Sequence, residues 1–68
     1  MRHSLKLRRK AARLTQMQVA SKLGITSRMY QYIEAGQRNP SWPVALRLEQ
    51  IFNTPASELL KISQRGGY

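Results

Sequence analysis

Ser27, Arg28, Gln31 and Tyr32 gather a hydroxyl, a guanidinium, a carboxamide and a phenol within six residues. Ser27 with Gln31 and Arg28 with Tyr32 are i, i+4 pairs, so a helix would carry all four on one side and turn Tyr30 and Ile33 to the other. Such a face is equipped for hydrogen bonding, not for bond breaking. The chain has no cysteine and one histidine, His3, and its three acids, Glu34, Glu49 and Glu58, fall in three separate predicted helices. Glycine occurs as isolated candidate caps and a terminal pair, never as a phosphate-cradling loop. An enzyme is not expected, and neither is a metal site or a cofactor.

Charge indicates what the face would meet. Twelve Lys and Arg against three acids leave a formal net charge of +9 over 68 residues. Residues 1–38 hold nine of the basic residues and only Glu34 among the acids, a net +8, whereas residues 39–68 come to +1. A polyanion, either nucleic acid or an anionic membrane surface, is the natural partner of the first half. No apolar run approaches the roughly 20 residues of a membrane span, and the basic start is not followed by the apolar stretch of a secretory peptide. The protein is expected to be soluble. A chain this short supports a single domain that buries only about 60% of its unfolded surface, and without cysteine no disulfide or Cys/His zinc site can compensate.

The elements that must position the polar face are short helices, and no good strand is visible. The spacing predicts a first helix from about Ser4 to Ala12. Thr15 with Gln18 forms a capping box that opens a second helix, in which Val19, Ala20 and Leu23 make the buried stripe with Gln16 at its head. Gly24 closes that helix and Thr26 caps the next, so the link is only about three residues long and the two helices must cross steeply in helix-turn-helix fashion. The third helix runs from about Ser27 to Ala35 and ends at Gly36. Ser41 is placed as the cap of a fourth helix with Ala45, Leu48 and Phe52 inward, and Asn53 breaks it. Thr54 as cap and Pro55 at the first helical position predict a short fifth helix through Leu59, Leu60 and Ile62. The domain is assigned to residues 1–63, the motif to about 15–35, and a frayed, flexible tail to residues 64–68.

Leu14-Thr15-Gln16, Val19-Ala20, Leu23-Gly24-Ile25-Thr26, Ile33-Glu34, Gly36 and Arg38-Asn39-Pro40 together closely resemble the phage-repressor/Cro type, or XRE-like, helix-turn-helix family. The match runs without gaps from about Leu5 to Leu60. The resemblance implies an all-α fold, a compact five-helix bundle of the lambda-repressor-like kind. It also implies sequence-specific binding of double-stranded DNA by a transcriptional regulator, expected to be a repressor that acts as a homodimer on a palindromic operator. In that fold the second helix of the motif lies in the major groove with its N-terminal residues at base edges.

Carried over residue by residue, the resemblance makes Ser27, Arg28, Gln31 and Tyr32 the base-contacting set. Arg28 can donate twice to guanine, or else holds a phosphate, and Gln31 can pair with adenine. Tyr32 either touches a thymine methyl or a phosphate, or packs over Arg28, whereas Tyr30 is assigned to the core. Gln16, Thr26, Arg38, Asn39 and Ser41 are the expected phosphate contacts, with Thr26 and Ser41 also readable simply as caps. Arg9, seven residues before Gln16, is expected to form a partly buried ion pair with Glu34. Arg2, Lys6, Lys10 and Arg13 are taken as a solvated, long-range attractive surface. Glu49 departs from the family, which usually has a small apolar residue there, and Trp42-Pro43 is a bulky opening for the fourth helix.

Leu59, Leu60 and Ile62 are more apolar residues than a short terminal helix can bury, so they are assigned to a dimer interface, a closed core in a monomer being the alternative. A toxin or another protein is a further possible partner, and no membrane or small-molecule ligand is expected. The expected location is the cytoplasm, on the nucleoid when bound. Other readings are an antitoxin that represses its own operon, a restriction-modification controller and, from a different class, a non-specific cationic RNA- or membrane-binding protein.

Overall fold

A computed structural model describes residues 1–62, and the tail assigned to 64–68 lies outside the described residues. It consists of five helices: α1 (His3–Ala11), α2 (Gln16–Leu23), α3 (Ser27–Ala35), α4 (Trp42–Phe52) and α5 (Ala56–Leu59), with no strand among the described residues. Each helix contributes to one core. Leu5 comes from α1, Val19, Ala20 and Leu23 from α2, Tyr30 and Ile33 from α3, Leu48 from α4 and Leu59 from α5. In α2 and α3 these positions recur at helical spacing, so each of those helices turns one apolar stripe inward against the side chains from α1, α4 and α5.

Local chemistry sets the ends of α2 and α3. Thr15 Oγ1 accepts from the Gln18 N–H at 3.1 Å while Gln18 Oε1 accepts from the Thr15 N–H at 2.8 Å, a reciprocal capping box. The chain leaves α2 through Gly24, at φ +74°, in the left-handed region that L side chains enter only with strain, and the Ile25 N–H returns to the Ala20 carbonyl at 3.0 Å. Thr26 Oγ1 then accepts from the Met29 N–H at 3.1 Å and starts α3. Only Gly24, Ile25 and Thr26 separate the two helices.

The structure corrects the sequence expectations at the other ends. α1 begins one residue early and stops at Ala11, because the chain reverses through Arg13 in left-handed geometry, at φ +61°, to bring Thr15 into its capping position. Ser41 stands at the N-terminus of α4 but makes no side-chain cap bond. Phe52 is half-buried at the edge of the core. α5 is shorter than predicted, with Pro55 at its N-cap and Leu60 as its C-cap, so neither Leu60 nor Ile62 is helical.

Thr54 is not the cap of α5, since its hydroxyl donates backward to the Phe52 carbonyl at 2.9 Å. The α5 N-terminus is satisfied instead by Glu49, whose Oε2 accepts from the Ala56 N–H at 2.6 Å. A carboxylate on α4 thus does the capping work of a local side chain. That contact gives the unusual acid at this position a partner, and negative charge is favoured there by the exposed N–H groups.

A Cβ at Gly24 would meet nothing within 4 Å, so substitution there isolates the backbone cost. Gly24→Ala is expected to destabilise the fold by about 1–2 kcal/mol, the penalty for a left-handed L residue. Thermal unfolding followed by circular dichroism checks this: each kcal/mol lost should lower the midpoint by roughly 4–8 °C.

Candidate nucleic-acid interface

The orientation of α3 is controlled from its inner side by one carboxylate. Glu34 is 2% exposed and lies one turn beyond Tyr30, whose hydroxyl donates to Oε2 at 2.8 Å. Arg9 of α1 grips the same group with Nε on Oε2 at 2.7 Å and Nη2 on Oε1 at 3.2 Å. Gln16, the first residue of α2, donates through Nε2 to Oε1 at 3.0 Å. Each oxygen thereby receives two donors, which fills the acceptor capacity of a carboxylate. The remaining Arg9 nitrogen, Nη1, donates to the Leu14 carbonyl at 2.9 Å and ties in the turn that leads to α2.

Electrostatics follow from this geometry. Burial on its own would push the Glu34 carboxyl up, but the hydrogen bonds from Arg9, Tyr30 and Gln16 and the charge of Arg9 outweigh it and hold the group below its ordinary value. The bond to Glu34 raises the Arg9 guanidinium, and burial followed by the neighbouring carboxylate raises the Tyr30 phenol well above the usual range. At neutral pH the cluster therefore holds one anion, one cation and a neutral phenol.

With Tyr30, Ile33 and Glu34 buried, α3 turns Arg28 and Gln31 outward, and Ser27 and Tyr32 flank them half-buried. The Tyr32 ring lies under the Arg38 guanidinium, 5.5 Å from centroid to Cζ, and the Tyr32 carbonyl accepts from the Gln37 and Arg38 N–H groups at 2.9 and 3.3 Å. The loop after α3 is folded back onto the helix it leaves. Of the other residues assigned to phosphate, Thr26 is exposed and uses its hydroxyl oxygen in the cap, and Ser41 is exposed with its hydroxyl uncommitted to the helix. Gln16 is half-buried with one amide N–H directed to Glu34, and Asn39 is exposed with its Oδ1 already occupied.

The group that occupies Asn39 is the largest departure from expectation. Arg2, assigned to a solvated basic surface, is 2% exposed. Its Nη2 donates to Asn39 Oδ1 at 2.7 Å, Nη1 to the Ile33 carbonyl and to the Arg38 carbonyl at 3.1 Å, and Nε to the Leu60 carbonyl at 2.9 Å. Its backbone N–H also donates to the Glu34 carbonyl at 2.9 Å. Burial lowers the Arg2 pKa from its ordinary value, yet a guanidinium keeps its proton in proteins. Met1 continues the docking, since a Cβ on Gly36 would lie 3.5 Å from the Met1 nitrogen. Charge patterning could not reveal this site because every Arg2 partner is a neutral oxygen.

The interface residues proposed at the end of the chain also separate. Leu59 is fully buried in the core and is unavailable to a second copy, because its side chain closes the bundle beneath α1 and α4. Leu60 is half-buried, and Ile62 is 41% exposed. Trp42, treated in the sequence only as a bulky helix opening, is 71% exposed and lines a cleft with Ala45 and Leu60.

A family model described as a helix-turn-helix domain matches residues 1–61. The chain belongs to the XRE-like helix-turn-helix family. Its helix-turn-helix pair is α2 and α3, joined by the three-residue link and braced by Glu34. A relative from Bacillus subtilis (strain 168), called an uncharacterized HTH-type transcriptional regulator YqaE, is 38% identical over 58 residues, which cover 85% of this chain. The chain spans about half the length of that protein. No solved structure matches it.

Breaking a buried ion pair strands a charge, at about 3–5 kcal/mol, against a total stability of roughly 3–10 kcal/mol for a domain of this size. Arg9→Met is therefore expected to lose about 3–5 kcal/mol of unfolding free energy, a large share of the total, and Arg9→Met/Glu34→Gln to recover part of the loss, as read by urea titration. Because the native Glu34 carboxyl lies below its ordinary 4.5, the stability it contributes is complete above about pH 4.5 and is lost as pH falls through the lower native value. The Glu34→Gln variant should lack that acid-dependent component.

Proposed function

We propose that this chain is a sequence-specific, double-stranded-DNA-binding transcriptional regulator that reads bases with α3. The observation that carries the reading is the outward presentation of Arg28 and Gln31 on a helix whose opposite face is locked by Tyr30, Ile33 and Glu34. Arg28 suits the O6 and N7 acceptors of guanine, and Gln31 suits adenine. Ser27 and Tyr32 complete the reading edge at its margins. Arg38, standing over Tyr32, clamps the backbone, aided by Thr26, Asn39 and Ser41 and by the second amide N–H of Gln16.

The similarity to a protein called a transcriptional regulator supports the regulatory part of the reading. The net charge of +9 supports a polyanionic partner. A repressor is the simplest regulator that such a reading head can make, because occupancy of DNA alone suffices. As a homodimer it would set two α3 helices about 34–36 Å apart, one turn of DNA, and call for a palindromic operator. The surface available for that pairing is Leu60, Ile62 and Trp42, with Leu59 excluded by its burial. The proposed site of action is the nucleoid; no helix among the described residues is long and apolar enough to cross a membrane.

Selection of bound sequences from a random duplex pool tests the reading directly. A palindrome should be recovered, and a pool with no enriched sequence would overturn it. Against the selected duplex, Arg28→Ala should relax one base position at a cost of about 1–3 kcal/mol. Arg38→Ala should instead weaken all sequences alike and flatten the slope of log K against log salt by about one unit.

A further inference from the structure

Arg2 is buried, and no carboxylate lies among its hydrogen-bond partners. A cation in that position must be solvated by dipoles, and two of its partners lie at the carboxyl ends of two helices. Ile33 belongs to the last turn of α3, and Leu60 caps the C-terminus of α5, so both carbonyls stand at negative helix ends. The other two partners, the Arg38 carbonyl and Asn39 Oδ1, belong to the loop between α3 and α4. Arg38 is consequently held on both sides, its N–H on the Tyr32 carbonyl and its own carbonyl on Arg2. Four of the five guanidinium N–H donors are used, in a fork that a lysine ammonium cannot reproduce.

We infer that Arg2 is a positioning residue, a clip that fixes the α3–α4 loop so that the Arg38 side chain is presented to a phosphate before any ligand arrives. The inference rests on the DNA-binding reading above and extends it to a residue that faces away from the solvent. Ordering the loop in advance removes part of the entropic cost that a mobile clamp would meet on binding. It also fastens the exit of the reading helix to the end of α5, so Arg2, the α3–α4 loop and Leu60 form one corner.

Arg2→Lys tests the clip while keeping the charge. Amide exchange of the free protein should accelerate at Arg38 about tenfold more than at the core amides of Val19 and Ile33. Binding of the folded protein to mixed-sequence double-stranded DNA, titrated at several salt concentrations, should weaken about tenfold and lose up to about one unit of salt slope. In an Arg38→Ala background the same Arg2→Lys change should cost no further affinity, a coupling that general destabilisation would not produce. Should Arg2→Lys fold poorly, Asn39→Ala removes one bond of the clip from an exposed residue and should speed Arg38 exchange in the same direction by less. Unchanged Arg38 exchange in the folded variants, or unchanged affinity and slope in folded Arg2→Lys, overturns the clip. If the wild-type chain binds no duplex at all, the DNA reading itself fails, and exchange at Arg38 still reports whether the loop depends on Arg2.

Discussion

The carboxylate of Glu34 is the one group that α1, α2 and α3 have in common. Arg9, Gln16 and Tyr30 reach it from three helices and saturate both of its oxygens. A buried ion pair contributes little net stability once desolvation is counted, so its main effect here is to fix orientation. With four donors converging on two atoms, α3 can neither rotate nor slide without leaving a buried polar group unsatisfied. No buried side-chain nitrogen or oxygen among the described residues lacks a partner. The outward aim of Arg28 and Gln31 is the other side of that constraint.

A second polar device works at the same C-terminal end of α3. Arg2 docks on the C-terminal carbonyls of α3 and α5 and on the loop between α3 and α4, and Glu49 caps the N-terminus of α5. Both use a charged side chain to satisfy backbone groups that a short helix leaves open. In a domain whose core is a handful of aliphatic side chains and one tyrosine, such contacts join segments that apolar packing alone would leave loose. The surplus positive charge is therefore not all spent on the surface. Arg2 and Arg9 face inward, and Arg8, Lys10, Arg13, Lys22, Arg28 and Arg38 remain exposed on the first half of the chain.

Much of the fold was legible from local chemistry. The capping box at Thr15, the glycine stop at Gly24 and the Thr26 cap need only residues three or four positions apart, and α2 and α3 lie where those signals place them. α5 departs from its local signals because its N-terminus is capped by Glu49 from another helix, which leaves Thr54 free to turn back on α4. The candidate site was legible to a similar depth. Helical spacing separates the Arg28 and Gln31 side from the Tyr30 and Ile33 side, but it does not show that the Tyr30 hydroxyl meets Glu34 or that Tyr32 supports Arg38.

By itself, then, the sequence determined the number and class of the elements, the identity of the exposed and buried faces of α3, and the polyanionic character of a partner. Periodicity, capping and net charge are set by residue type and short spacing, and they hold before any two helices meet. Only the tertiary structure decided that Arg2 is a buried clip, that Leu59 closes the core and is not part of a contact surface, and that Gln16 braces Glu34. Each depends on a partner far along the chain, and for Arg2 the partners are carbonyl oxygens and one amide oxygen. Backbone carbonyls are present at every residue and carry no sequence signature, so only the folded chain can select which of them a guanidinium will find.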